Sequence, residues 1–369
     1  MALLLKRVCA RLCVCCRKFN MVTHNLEFIT QNSACKKEEE SFLQAAEWLE
    51  FLKSENHEAT MLNFYDGQRI LATGLFERVN FAGGVYLECA LGPVFSEPAS
   101  LAEREIDLAE IIEQAKKIGV KAKVDFIRFI FNLPWSEELA QVLYQAGALQ
   151  PRFYQRSLVP IDTRFLPTTF SPEEFLEQMY PKTRYNLKVS LRHRVIVREI
   201  FEPAPWWYPL LEKTATRDGI RIFSSAHYEK LLARRGGDSK LQVHLFAAEV
   251  PGSKIASAAL CLGYGKTLTY LHGASDYDFR HLMTPYALHF GIWQKAKEQG
   301  YLYYDLWGTN PTRSDLKWRF KPVWAGLSRF KSGFGGIEKN YLGAFDLPIN
   351  KGKYKFLGLL AKVKKLIKI

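Results

Sequence analysis

Apolar positions in SFLQAAEWLEFLKS, residues 41–54, recur at helical spacing: Phe42, Ala45, Ala46, Leu49 and Leu52 share one face, and Ser41 stands before them as a cap. From there the pattern runs helix, strand, strand, strand, helix. RILATGLFERV (69–79) and GVYLECALGPVFS (84–96) read as strands around a turn at Asn80–Gly84, the second closed by Gly92–Pro93. LAEREIDLAEIIEQAKKIG (101–119) predicts a long amphipathic helix, its acids early and its lysines late, as the helix dipole favours. VKAKVDFIRFIFNLP (120–134) follows as a strand and SEELAQVLYQAGA (136–148) as a helix.

After PRFYQRSLVPID (151–162) the order begins again. Helices are predicted near 172–180, 181–193, 206–218 and 225–235, then strands VHLFAAEV, KIASAALCLGY and TLTYLHGAS, a helix over 285–299 and a strand over 301–307. The second half repeats the element order of the first without repeating its residues, which predicts a duplicated α/β (α+β) fold.

A length of 369 residues suits two domains, and 48% apolar against 24% charged residues excludes disorder. The net charge of +13 suggests nucleic acid until its distribution is read. Residues 1–20 hold five basic groups and residues 351–369 hold seven lysines, with no acid in either stretch, so twelve of the thirteen charges sit at the two ends. Four of seven cysteines (Cys9, Cys13, Cys15, Cys16) crowd the N-terminus, while Cys35, Cys89 and Cys261 are scattered. This count fits a reducing cytosol better than a disulfide framework, and no metal-ligand spacing accompanies it. Residues 1–20 lack an uninterrupted apolar stretch; they read as an extension before a start at Met21 or as an amphipathic surface helix. No 18-residue apolar run exists, so no membrane-spanning helix is expected.

Three stretches raise chemical questions. LSRFKSGFGG (327–336) leaves Lys331 between a phenylalanine and glycines, at the mouth of what reads as a buried strand. It either snorkels to water or serves a reaction. Arg184, Lys188 and Arg192 follow helical spacing within an acid-free run from 182 to 198, a pattern suited to tracking phosphates. In KYKFLGLLAKVKKLIKI, Phe356, Leu360, Val363 and Ile367 share a helical face among lysines, which suits either an anionic membrane surface or docking on the first domain.

The strand–strand–strand–helix–strand order resembles the GNAT-like N-acyltransferase fold. Members that use coenzyme A hold its pyrophosphate on a Gly-rich turn before the helix. Here that turn is SDYDFRHLMTP, without glycine and with Asp276 and Asp278, which argues against an acetyl-coenzyme A donor.

SFLQAAEWLEFLK (41–53), GPV (92–94), YPKTRYNLKVSLR (180–192), EKTATRDGI (212–220), YLHGASDYDFRHLMTPYALHFGIWQKAKEQGYLYYDLWG (270–308) and RFKSGFGG (329–336) together resemble the Fem-type (FemABX) aminoacyltransferases of peptidoglycan synthesis. The resemblance runs from about residue 27 to 350 and fits the armless type, without a coiled-coil insertion. It implies tandem GNAT-like domains: a basic Cys-rich extension over 1–26, a first domain over 27–160 plus 340–369, and a second over 161–339. It implies aminolysis of an aminoacyl-tRNA ester by a stem-peptide amine of a lipid-linked or UDP-linked muramyl pentapeptide. No cofactor is expected, aminoacyl-tRNA being a co-substrate. Lys331 of the FK pair would stabilise the oxyanion of the tetrahedral intermediate, and Phe330 would contact substrate. Asp305 is a candidate proton acceptor or a turn cap. The acid that some relatives carry at the end of the first domain's last strand is missing, Ile130 and Phe131 standing there. Lys53 and Arg221 fall near the family's phosphate contacts, and Arg184, Lys188 and Arg192 would meet the tRNA. The protein is expected in the cytoplasm, with peripheral contact to the membrane through 351–369. Two alternatives stay open: another N-acyltransferase on this scaffold, or a non-catalytic RNA- or membrane-binding relative.

Overall fold

The computed structural model describes residues 41–81, 83–151, 159–252 and 254–367; the expected extension over 1–26 and its cysteines lie outside them. Ser41 does cap, but it caps a 3-10 turn over Phe42–Gln44, and helix α1 (Ala46–Ser54) starts only after Ala45 turns extended. The cause is Gln44. Its amide donates to Ala90 O at 2.6 Å and accepts from Leu75 N–H at 2.7 Å, which pulls the turn into the sheet and breaks the single predicted helix.

Strands β1 (Glu58–Asp66), β2 (Arg69–Phe81) and β3 (Gly84–Ala90) come next, with a short β4 (Val94–Phe95) split from β3 at Leu91–Pro93. Helix α2 (Leu101–Lys121) opens on a capping box between Ser100 and Glu103 and runs past its expected end, so β5 (Phe126–Pro134) starts later than predicted. Helix α3 (Glu137–Gln145) completes this half. The second half comprises β6 (Asp162–Pro167), α4 (Pro172–Gln178), α5 (Pro181–Arg192), β7 (Ile196–Glu199), α6 (Trp207–Asp218) and α7 (Ser225–Leu232). It continues through β8 (Gln242–Val250), β9 (Lys254–Tyr264), β10 (Thr267–Ser275), α8 (Thr284–Glu298) and β11 (Tyr303–Asp305). The chain ends through α9 (Ala325–Ser332), β12 (Ile337–Pro348) and α10 (Lys351–Ile367).

Among the described residues these strands form one twelve-stranded mixed sheet in the order β1-β2-β3-β5-β12-β6-β11-β10-β9-β8-β7, with β4 paired to β2. The pairings are antiparallel except for two, β3 with β5 and β10 with β11. Each parallel pair is joined through a long helix, α2 or α8, as a parallel connection requires. The halves therefore repeat one design, three antiparallel strands, a crossover helix and a parallel fourth: a tandem GNAT-like fold. Strand β12 joins them. Ile337–Asn340 pairs with β6, whereas Tyr341–Pro348 pairs with β5, so the strand changes partner between Asn340 and Tyr341.

Separate cores form under each half. Leu108, Ile111 and Ile112 of α2 pack on Ile127 and Phe129 of β5, and Ile292 and Trp293 of α8 pack on Leu268 and Phe246. The other face of β3 and β5 stacks Tyr86 on Phe126 at 4.7 Å and receives Tyr354 and Leu357 of α10. Beside them lies a buried pair, Arg128 donating to both oxygens of Asp346 at 2.7 and 2.8 Å, with the Tyr354 hydroxyl donating to the same carboxylate at 2.7 Å. Satisfying every lone pair is what makes such a buried pair tolerable.

Candidate active site

Strands β10 and β11 pair over only three residues each, Thr267–Thr269 against Tyr303–Asp305, and then part. Past Asp305 the chain turns sharply, with Trp307 at φ +61°, a conformation that bulky side chains resist. Asp305 holds this turn. Its Oδ1 accepts from Trp307 N–H at 2.8 Å and from the Thr163 hydroxyl, and its side chain is buried. The carbonyls of Trp307 and Gly308 are thereby presented at the parting of the strands.

Lys331 answers them. It lies on α9, not at the end of a strand, and it does not snorkel: only 3% exposed, its Nζ donates to Gly308 O at 2.9 Å and Trp307 O at 3.3 Å. The Tyr270 ring centroid is 5.6 Å away. Burial pushes the Lys331 ammonium down to about 7, against an opposing pull from the Asp305 carboxylate. His289 behind it is pushed down to about 3, first by burial and then by the Lys331 charge, so it is neutral; its Nδ1 pairs with the Tyr304 hydroxyl at 2.8 Å. Phe330 turns inward and packs its ring on Tyr286 at 5.0 Å and Phe334 at 5.3 Å, part of the wall and not an exposed contact. The glycines after it serve close packing. A Cβ on Gly335 would sit 2.5 Å from Gln178 O and one on Gly336 would overlap Phe165 O, both at positive φ. Arg164 donates to the carbonyls of both and fixes the run.

The segment between β10 and α8 is no open phosphate cradle. It folds as a 3-10 turn over Tyr277–Leu282, and Lys213 binds Asp276 at 2.9 Å. Among the described residues no group of three His, Cys, Asp or Glu side chains gathers as a metal site.

Residues 238–362 match the family model described as FemAB family. The chain is 31% identical over 106 residues to a lipid II:glycine glycyltransferase of Staphylococcus saprophyticus, covering 27% of this chain and 23% of the relative. It is 28% identical over 190 residues to a protein of the same name from Staphylococcus aureus strain USA300, covering 50% and 41%. The family match thus lies in the second half of the chain. These alignments span less than half the length of either relative. The crystal structure of FemX superposes with a TM-score of 0.70 at 16% identity, over 86% of this chain and 94% of that one, which shows the shared fold. A C-terminal domain of a putative lysylphosphatidylglycerol synthetase from Agrobacterium fabrum superposes at 0.51 and 15% identity, over 83% and 88%.

The remaining expected residues fall in two places. Lys53, exposed near the end of α1, and Arg221, exposed before α7, lie on segments clasped by Glu55, which binds His227 at 2.7 Å and Lys230 at 2.8 Å. The Phe223 ring stacks on His227 at 4.1 Å beside them. Lys188 and Arg192 are exposed along α5, but Arg184 departs from the expected stripe: its guanidinium donates to the carbonyls of Leu176, Glu177 and Met179, closing the C-terminus of α4. Arg198 is likewise committed, to Glu202 and Glu249. Asp305, weighed as a proton acceptor or a turn cap, makes the hydrogen bonds of a turn cap. Sequence reasoning missed His289 and Tyr304, whose spacing on α8 and β11 carries no motif, and missed Trp324, whose ring packs against Gly308 from sixteen positions away.

Proposed function

We propose that this chain is an aminoacyltransferase that moves an amino acid from aminoacyl-tRNA to the stem-peptide amine of a muramyl pentapeptide precursor. The single observation that carries the reading is Lys331: a desolvated amine fixed by two backbone carbonyls where the two parallel strands part. In the reaction the acceptor amine attacks the ester carbonyl, a C–N bond forms, and negative charge collects on the former carbonyl oxygen. The ammonium of Lys331, in a site from which water is largely excluded, is worth most at that moment. Collapse of the intermediate breaks the C–O bond to the ribose. The proton lost by the amine passes to the ribose oxygen that leaves, so no protein base is required and Asp305 acts as a positioning residue.

The names of the matched relatives, which specify lipid II and glycine, support a lipid-linked precursor and an aminoacyl donor. Lys53 and Arg221 are suited to the precursor's phosphates, being cations on segments that Glu55 holds together. The exposed Lys188 and Arg192 suit the phosphate backbone of the RNA. No described helix is long and apolar enough to cross a membrane, but α10 exposes Phe356, Leu359, Leu360 and Val363 on a lysine-rich helix while Tyr354 and Leu357 dock inward. That division supports a peripheral contact with an anionic cytoplasmic membrane face, where a lipid-linked acceptor resides.

The test is incubation with a mixture of charged tRNAs and with soluble or lipid-linked muramyl pentapeptides, followed by mass measurement. The expected product is the acceptor heavier by one aminoacyl residue. Absence of product from every donor and acceptor pair refutes the reading.

A further inference from the structure

Two polar side chains are buried behind Lys331 in a part of the core that is otherwise apolar. His289 of α8 is 2% exposed, and Tyr304 of β11 is fully buried in the cluster that holds Ile292, Trp293 and Leu306. The His289 ring centroid lies 4.7 Å from that of Tyr270, and Lys331 Nζ lies 5.6 Å from the same Tyr270 ring. The transfer chemistry described above uses neither side chain.

The hydrogen bond between them fixes where the imidazole keeps its proton. Burial pushes the Tyr304 phenol well above its ordinary value, so the hydroxyl stays protonated. Among the described residues its one hydrogen-bond partner is His289 Nδ1, at 2.8 Å. Were Nδ1 protonated, it would donate to the Tyr304 oxygen and leave the hydroxyl proton without an acceptor in an apolar core, an arrangement that buried polar groups avoid. The hydroxyl therefore donates to Nδ1, and the neutral imidazole carries its proton on Nε2. No lone pair of the ring is left free: Tyr304 occupies the one on Nδ1, and Nε2 bears a hydrogen.

The bonding of Lys331 shows why this matters. An ammonium has three N–H groups, and among the described residues two acceptors meet them, Gly308 O and Trp307 O. An imidazole with a free lone pair beside Lys331 would compete for the third N–H, the one left for a developing oxyanion. We propose that Tyr304 and His289 are positioning residues for Lys331: the phenol occupies the imidazole lone pair, so the ring can neither bind the third N–H nor take its proton. This rests on the reading of Lys331 as the oxyanion stabiliser and adds the two groups that keep it available. The titratable groups facing the pair are Lys331 on α9, Asp305 next to Tyr304 on β11, Tyr270 on β10 and Cys261 on β9.

The experiment compares the full chain with Tyr304→Phe, which frees a lone pair on the ring, and with Tyr304→Phe combined with His289→Leu, which removes that lone pair again. Tyr304→Phe should lower kcat about tenfold with KM within about twofold of the parent, as loss of an interaction made only in the transition state does. Its bend in kcat/KM should move up from about 7 by about one pH unit, because a hydrogen bond to the ring holds Lys331 as the ammonium. The double variant should return kcat to within about threefold of the parent and the bend to its place. Recovery on removing a second polar group separates this role from a structural one and from catalysis by His289, either of which leaves the double variant impaired. Nuclear magnetic resonance of protein labelled in histidine and lysine reads the same states without turnover. His289 in the parent should be the neutral Nε2–H tautomer at pH 7, and the Lys331 midpoint should rise in Tyr304→Phe and fall back in the double variant. An Nδ1–H tautomer in the parent, an unmoved Lys331 midpoint in Tyr304→Phe, or a double variant as slow as the single one overturns the proposal. The tautomer is read in the parent itself, so a variant that fails to fold does not shelter it. If tautomer and midpoints behave as expected while no donor and acceptor pair yields product, the pair stands and the transfer reading fails; if the parent transfers and the midpoint does not move, the pair alone is wrong.

Discussion

Replacing Lys331 by methionine keeps nearly the length of the side chain and removes its charge, so it separates electrostatics from packing. Loss of an oxyanion stabiliser lowers turnover by on the order of 10²–10³. The pH dependence is more discriminating. Burial brings Lys331 down to about 7, so in the free enzyme its cationic form disappears above that pH. The acceptor amine, if a lysine near 10.4, becomes more nucleophilic over the same range. The parent should then show kcat/KM that bends over above pH about 7, and Lys331→Met a lower profile that keeps rising. Stability gives an independent reading. Between about 7 and 10.5 the unfolded chain holds a proton on this lysine that the folded chain has lost, so unfolding free energy rises by about 1.4 kcal/mol per pH unit. Below pH 7 both states are protonated and the full cost of a buried ammonium is present; it is relieved as the pH climbs. Urea midpoints of parent and Lys331→Met at pH 7, 8 and 9 should diverge, the parent gaining on the variant. Parallel midpoints, or a methionine variant that transfers as fast as the parent, would refute the account of a desolvated, catalytic ammonium.

Further expectations concern the other charged groups. Asp346→Ala leaves the Arg128 guanidinium buried without its carboxylate and should cost about 3–5 kcal/mol in denaturant unfolding, whereas Tyr354→Phe, which loses one hydrogen bond, should cost about 1 kcal/mol. Glu88, opposite Glu77 and Arg128 across the sheet, is pushed up to about 7 chiefly by burial, so its folded form holds a proton that the unfolded form releases between pH 4.5 and 7. Parent stability relative to Glu88→Gln should accordingly fall across that window, checked by chemical denaturation at pH 5 and pH 8. Phe356→Glu with Leu360→Glu alters only exposed positions of α10, so it should abolish co-sedimentation with phosphatidylglycerol vesicles while leaving the melting temperature unchanged.

Periodicity made most of the architecture legible, because α2 and α8 each bury one face and β8 and β9 are apolar runs buried on both. What it missed was decided by contacts distant in sequence. Gln44 reads as a neutral helix position, yet its hydrogen bonds to Leu75 and Ala90 stop the helix from starting before Ala46. Lys331 looks like the end of a strand because glycines come after it; those glycines instead let the chain pass against Gln178 O and Phe165 O after a helix. Arg184 belongs to an acid-free run, but the open carbonyls at the end of α4 lie within its reach and claim it. Strand β1 alternates weakly since it is the sheet's edge and is mostly half-buried.

Duplication supplies two places where parallel strands part, and the two are lined differently. In the first half, β3 and β5 stay in register over five residues, and Gly92 N–H then donates to Ile130 O, continuing the pairing. Gln44 occupies the end of β3, and Ile130 there is buried among Phe42, Phe51 and Leu91. A neutral amide and an apolar cluster fill the position that an acyl donor would need. In the second half the pairing stops after three residues, the chain turns at Trp307 with positive φ, and buried Lys331 donates to the carbonyls of Trp307 and Gly308. If donor chemistry belongs to the second half, the first is free to hold the acceptor, and Lys53 on α1 with Arg221 before α7 lies where the two halves meet. A variant of Lys53 and Arg221 should therefore raise KM for the acceptor and leave affinity for the RNA unchanged, while a variant of Lys188 and Arg192 should do the reverse; equal effects of both on both ligands would remove the division of labour between the halves.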